Sequence, residues 1–197
     1  MRVFAALVPP DAAIEDLADF LEPRRADPAA RDLSWSRPES WHVTLAFMGS
    51  ATPDGVDDFI DRLGDGRLDL SVGPLQVRGG GAFPVIERAK VVYAGLTDHG
   101  DATGSLERLS ERTRNAAAVS GCAPDGRAFT AHLTLARSRR PVEATRWVRV
   151  LDAYSGPVWQ PEEVQVIESN LGRRGPRYAL LASVPIGAGS SDPAHLH

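Results

Sequence analysis

The sequence predicts an α+β fold of two lobes, a duplicated architecture in which each lobe is a mainly antiparallel sheet backed by helices, with a groove between them. Three observations predict it. The pentapeptide His42-Val43-Thr44-Leu45-Ala46 returns in the second half of the chain as His132-Leu133-Thr134-Leu135-Ala136. Apolar periodicity orders the chain as strand, helix, strands, helix, strands, helix, strand, helix, strands, which fits neither a doubly wound parallel sheet nor an all-β sandwich. At 197 residues, 43% apolar and 24% charged, the chain has an ordinary globular composition and is long enough to bury a sizeable core.

Taken in order, residues 2–8 are an apolar run too short for a signal peptide and read as a first, buried strand. Asp11 is a good helix N-cap, and Ile14, Leu17, Ala18 and Leu21 recur at helical spacing up to Pro23. A polar loop over 24–31 leads to a short strand at 33–36. The first repeat strand spans 41–48 and stops at Gly49. Pro53 opens a helix whose apolar face is Val56, Phe59, Ile60 and Leu63, ended by Gly64-Asp65-Gly66. Residues 68–77 alternate as a strand interrupted at Gly73-Pro74. Gly79-Gly80-Gly81 reads as a flexible turn or bulge, and 89–96 as a strand. A long helix is expected over 102–120, the second repeat strand over 128–136, a short helix over 143–151, and paired strands over 164–169 and 178–184. The expected domain is 1–186, followed by a disordered tail over 187–197.

Bulk properties exclude several functions. No run approaches the roughly 20 apolar residues of a membrane span. A net charge of −4 argues against a general nucleic-acid coat protein, without excluding recognition of one phosphate. The single cysteine, Cys122, rules out an intramolecular disulfide framework and suits a reducing, cytoplasmic setting. No Cys/His cluster has zinc spacing, and no metal or other cofactor is expected. Basic charge is almost all arginine, with Lys90 the only lysine.

The repeated motif carries the chemistry. Side chains alternate faces along a strand, so His42 and Thr44 share one face, opposite Val43 and Leu45. His132 and Thr134 do the same opposite Leu133 and Leu135. Two such strands side by side put two imidazoles and two hydroxyls into one groove. Imidazoles change charge in the working pH range and suit proton transfer; hydroxyls suit the stabilisation of developing anionic charge. The other three histidines lie elsewhere: His99 in a predicted turn, His195 and His197 in the tail.

With these residues in view, the chain resembles the 2H phosphoesterase superfamily, named for paired His-x-Thr motifs. It is most similar to the bacterial and archaeal 2′-5′ RNA ligase group, the RNA 2′,3′-cyclic phosphodiesterases. The likeness runs over about residues 1–186. It includes Arg2 to Leu7, Trp35 to Gly49, Gly81-Ala82-Phe83-Pro84, Val91 to Leu96, Phe129 to Arg137, Glu168-Ser169, Gly175 and Tyr178. One departure is Ala131, where the family often has proline. The resemblance implies pseudo-twofold symmetry about a central groove. It also implies metal-free opening of terminal 2′,3′-cyclic phosphates to 2′-phosphates, in some members with joining or cleavage of 2′-5′ linkages. It assigns His42 as proton donor to the leaving 3′ oxygen and His132 as proton acceptor from water, with Thr44 and Thr134 on the phosphate oxygens. The expected partner is an RNA 3′ end or a nucleotide bearing a cyclic phosphate.

Seven further residues complete the reading, five of them with alternatives left open. Arg137 has a family counterpart and suits a phosphate, yet strict alternation turns it away from the groove unless a bulge redirects it. Phe129 is a candidate for base stacking or for the core. Phe47 and Trp41 are expected in the core. Arg173, Arg174 and Arg177 form a basic cluster that either touches an RNA tail or is an exposed turn. Two rival functions share the fold: a nucleotide-binding module with little catalysis, and a phosphodiesterase for a small cyclic nucleotide.

Overall fold

Strand β1 (Val3–Leu7) buries every one of its residues, as an unbroken apolar run demands, and lies inside the sheet with a neighbour on each side. In the computed structural model, which describes residues 1–66, 68, 70–100, 104–172 and 175–188, the chain continues through α1 (Asp11–Arg25), β2 (Ser34–Trp35), β3 (Val43–Met48), α2 (Pro53–Gly64), β4 (Ser71–Val72), β5 (Leu75–Phe83), β6 (Ala89–Asp98), α3 (Ser105–Val119), β7 (His132–Val142), α4 (Thr145–Asp152), β8 (Ser155–Trp159), β9 (Glu163–Gly172), β10 (Gly175–Pro185) and β11 (Gly187–Ala188).

The helices form for local reasons. α2 starts on Thr52, whose hydroxyl accepts from the Gly55 amide at 3.2 Å, with Pro53 at the first helical position, and it buries Val56, Phe59 and Leu63. In α1 the cap is Pro10 rather than Asp11, which instead places a carboxylate in the first turn. The helix also runs through Pro23 to Arg25. So near the end a proline forfeits little, and the Arg24 guanidinium bonds the Phe20 carbonyl. The start expected for α3, at 102, lies outside the described residues.

Eight strands hydrogen-bond in the order β10-β9-β1-β3-β7-β6-β5-β8, and β2 pairs with β7. Every pairing in this sheet is antiparallel. The two motif strands meet at its centre through the pair Val43 and Leu133, and three further strands lie beyond each of them. The second half, β5 to β8, is contiguous in sequence. The first half is not: β9 and β10 follow the second motif strand but return to lie beside β1. The repeat therefore marks two halves, the first of which is completed by the C-terminal hairpin.

One core runs beneath both halves. It combines Val3, Ala5, Leu7, Val43, Leu45, Leu133 and Leu135 of the sheet with Leu17 and Leu21 of α1, Phe59 of α2, Leu106 and Leu109 of α3 and Trp147 and Leu151 of α4. Each such buried side chain stabilises the fold by about 1.5–3 kcal/mol.

Of the two alternatives at 79–81 the structure shows the bulge, and three other expectations shift. Gly79-Gly80-Gly81 lies inside β5, with the register slipping between Val77 and Gly80 and Gly79 in the left-handed region at φ 71°. This is a bulge that keeps the strand going. β7 starts later than expected, at His132, and continues to Val142. β8 was unexpected; its alternation is obscured by Gly156 and Pro157. Gly187 and Ala188, assigned to the tail, pair in parallel with Ser71 and Val72; the rest of the expected tail, 189–197, lies outside the described residues.

Candidate active site

The antiparallel register at Val43 and Leu133 sets His42 across from Thr134 and His132 across from Thr44. Val43 and Leu133 point into the core, so the four polar side chains project from the opposite face. All four line one groove of about 830 Å³.

Both motif strands bulge one residue further on. Against β1, Ala46 pairs with Ala5 but Thr44 pairs with Ala6, which leaves Leu45 as the extra residue. Against β6, Ala136 pairs with Val92 but Thr134 pairs with Tyr93, which leaves Leu135 as the extra residue. Each bulged carbonyl finds a donor: Ser110 Oγ donates to Leu45 O at 2.7 Å, and the Ser36 amide donates to Leu135 O at 2.8 Å. A bulge inverts the face of everything after it. Arg137 is thereby turned onto the groove face and lines the groove. By the same inversion Phe47 leaves the main core. It packs on Phe4, Ala6 and Ile167 in a small separate cluster, with the Arg2 guanidinium 5.4 Å from its ring centre. Trp41 is core, as expected, at 1% exposure.

The two imidazoles are held alike. His42 Nδ1 lies 2.7 Å from the Ser40 carbonyl, and His132 Nδ1 lies 2.7 Å from the Thr130 carbonyl. A carbonyl only accepts, so in each ring Nδ1 carries a proton and donates it, and Nε2 is the free nitrogen. Each ring also sits between a phenylalanine and a tyrosine. Phe4 stacks on His42 at 4.6 Å, and Tyr178 meets it edge-on at 5.5 Å. Phe83 meets His132 edge-on at 5.0 Å, and Tyr93 lies tilted against it at 5.2 Å. Burial pushes both imidazoles below their ordinary pKa. The carbonyl bonds work in the opposite direction, and the positive charge of Arg137 adds to the lowering of both. Burial thus favours the neutral form of both rings, with Nε2 as the nitrogen that takes up or gives a proton.

Beyond the motifs, the groove is walled by the segment from Ser34 to Ser40 on one side and by Arg177 and Tyr178 of β10 on the other. Local sequence did not expose these walls: the first is recruited by the pairing of Ser34 and Trp35 with Arg137 and Ala136. The second comes from the C-terminal hairpin β9–β10, which returns to pair with β1. Tyr178 was noted only as part of the family likeness. Phe129 is corrected: it packs against the core and does not line the groove. Of the basic cluster, Arg177 lines the groove; Arg173 and Arg174 lie outside the described residues. Among the described residues no group of three or more His, Cys, Asp or Glu could hold a metal ion, and no helix is long and apolar enough to cross a membrane.

Comparison with known proteins shows what this chain is similar to. Residues 8–93 match the family model for LigT-like phosphoesterases. An RNA 2′,3′-cyclic phosphodiesterase of Aeropyrum pernix is 29% identical over 150 residues, 74% of this chain and 82% of the relative. One of Archaeoglobus fulgidus is 25% identical over 179 residues, 90% and 96% of the two chains. The chain is similar to LigT-like phosphoesterases in its first half and to these relatives over most of its length. Solved structures agree on the fold. A protein of Thermus thermophilus superposes with a TM-score of 0.72 at 26% identity, covering 96% of this chain and all of its own. Escherichia coli LigT, solved in complex with 3′-AMP, superposes at 0.70 with 22% identity, covering 94% of this chain and 97% of its own. The family model ends at Tyr93, so it spans the first motif of this chain but not the second.

Proposed function

We propose that this protein is an RNA 2′,3′-cyclic phosphodiesterase that hydrolyses a terminal cyclic phosphate to a 2′-phosphate, working in the cytoplasm and without a metal. The observation that carries the reading is two imidazoles with tied Nδ1 atoms and free Nε2 atoms, each opposite a threonine, in one groove. The relatives named for this reaction support it. The single cysteine, buried and unpaired, fits a reducing compartment.

Ring opening by water needs one proton removed and one supplied. His132 Nε2 takes the proton from the attacking water, and His42, protonated at Nε2, gives its proton to the 3′ oxygen as the P–O3′ bond breaks. Which imidazole takes which role follows the family resemblance, because the two halves of the site are nearly symmetric. Thr44 and Thr134 donate to the non-bridging oxygens, where negative charge accumulates on the pentacoordinate phosphorus, and Arg137 neutralises that charge. A 5′-hydroxyl in place of the water, deprotonated by His132 while His42 protonates the 3′ oxygen, joins two ends through a 2′-5′ linkage, and a 2′-5′ ligase activity is included on that ground.

The test is a short RNA ending in a 2′,3′-cyclic phosphate, incubated with EDTA, with wild type beside His132→Ala. A 2′-phosphate product that disappears in the variant is expected. No product in wild type, with nucleotide binding intact, would replace the phosphodiesterase with a binding module.

A further inference from the structure

The charge of the groove exceeds what one cyclic phosphate needs. That phosphate carries a single negative charge, and Arg137, on the motif strand beside Thr134, already meets it. Arg37 and Arg177 line the same groove, against one carboxylate, Glu39. Among the described residues Arg37, Arg137 and Arg177 make no ion pair and no side-chain hydrogen bond, although other arginines do: Arg62 with Asp58, Arg127 with Asp125, Arg146 with Asp27 and Arg114 with two backbone carbonyls. The concentration of cations is local, because the chain as a whole carries a net charge of −4.

Both extra arginines are tied closely to the reacting centre. Arg37 follows Ser36, which bonds the bulged Leu135, and precedes by three residues Ser40, whose carbonyl holds His42. Arg177 is the neighbour of Tyr178, whose ring meets His42 edge-on. Both guanidinium-bearing residues are exposed, so they are free to take ligands without loss of packing. The groove volume of about 830 Å³ lies towards the upper end of the roughly 300–1,000 Å³ usual for small-molecule pockets. Unpaired guanidinium forks suit bidentate contact with phosphodiester oxygens.

We infer that the groove takes an RNA 3′ end of two or more nucleotides, with Arg37 and Arg177 holding phosphodiesters beyond the reacting one, and that these two arginines discriminate RNA ends from free cyclic mononucleotides. The inference rests on the phosphodiesterase reading of the same site.

The test is binding, so that it does not depend on turnover. A mononucleotide 3′-phosphate and a triadenylate ending in a 3′-phosphate are titrated against wild type, Arg37→Gln and Arg177→Gln at several salt concentrations. Wild type is expected to prefer the trinucleotide by about tenfold or more, the size of a charge-assisted contact. Each variant should reduce that preference severalfold and flatten the slope of log affinity against log salt by about 0.7, one phosphate contact on a single strand. Equal affinity for both probes in wild type, or variants that leave the preference and the slope untouched, would overturn the inference. Hydrolysis of a 2′,3′-cyclic mononucleotide by wild type is measured alongside. Hydrolysis with no length preference removes the two arginines and keeps the phosphodiesterase; length preference with no hydrolysis of any cyclic end keeps the arginine site and removes the phosphodiesterase.

Discussion

The two motif strands are nearly the same sequence in nearly the same geometry, and they differ most at the fifth residue after the histidine. After His42 that position is Phe47, capped by Arg2 over a small apolar cluster; after His132 it is Arg137, open to the groove. Both are delivered there by the same one-residue bulge. The donors that satisfy the two bulges also differ. Leu45 is met from the core side by Ser110 of α3, whereas Leu135 is met by the backbone of Ser36, which draws the segment carrying Arg37 alongside the groove. The repeated motif thus gives a nearly symmetric pair of imidazoles. The residue after the bulge, a cation in the second half and an aromatic in the first, is where that symmetry is broken.

The largest effect should come from removing either member of the pair. His42→Ala and His132→Ala are each expected to lower the rate about 10²–10⁴-fold; near-wild-type turnover in one of them would end the two-histidine mechanism. Next is Arg137→Gln, expected to cost roughly 10- to 100-fold in kcat/KM, as loss of a charge-assisted contact to the phosphate. It should also raise both imidazole pKa values, since the Arg137 charge lowers both. Phe47→Leu, at the equivalent position, should leave those pKa values in place, and NMR titration of the two rings would show a shared response if the halves were truly alike.

A smaller effect should separate the aromatic settings of the two rings. A Cβ at Gly81 would stand 2.3 Å from the Tyr93 hydroxyl oxygen and 2.4 Å from its Cζ, so Gly81→Ala must push Tyr93 from its place against Phe83 and His132. About a tenfold fall in kcat with little change in KM is expected from misplacing one proton-transfer group, with the His132 ring resonances moving and those of His42 staying. Tyr178→Ala should do the reverse, because Tyr178 packs on His42 and Phe4. If each variant moved both rings equally, the site would be one coupled unit rather than two settings.

The smallest effect concerns pH. Burial lowers both imidazoles below 6.5. The folded protein therefore binds protons less readily than the unfolded chain. This contribution to stability is fully present above pH 6.5 and is lost as the pH falls through the lowered values. Thermal midpoints should decline from neutral pH to about pH 5, and less steeply in a variant with both histidines replaced by glutamine. The rate should be bell-shaped, with its optimum on the acid side of neutrality, because one imidazole must hold a proton that burial makes it reluctant to hold. A flat profile would contradict the assignment of acid and base to this pair.

Much of the site was legible before any fold was known. The alternation of His42 with Thr44 and of His132 with Thr134 needs only the period of a strand, and the core faces Val43–Leu45 and Leu133–Leu135 follow from the same period. The facing of Arg137 and Phe47 was not legible, because alternation is a local rule that a single extra residue cancels, and nothing in Leu45 or Leu135 announces that it is the extra one.

By itself the sequence determined the two motif strands, the residues that share each face, the helices that cover the core, and the chemistry that paired imidazoles and hydroxyls can perform. Those properties depend on spacing within a few residues. Only the tertiary structure decided that β9 and β10 join the first lobe, that Tyr178 and Arg177 close one side of the groove while Ser34 to Ser40 close the other, and that Arg137 faces inward. Those depend on the register between strands far apart in the chain. Register is set by which backbone groups and apolar faces find partners at once, a condition on the whole sheet that no single strand contains.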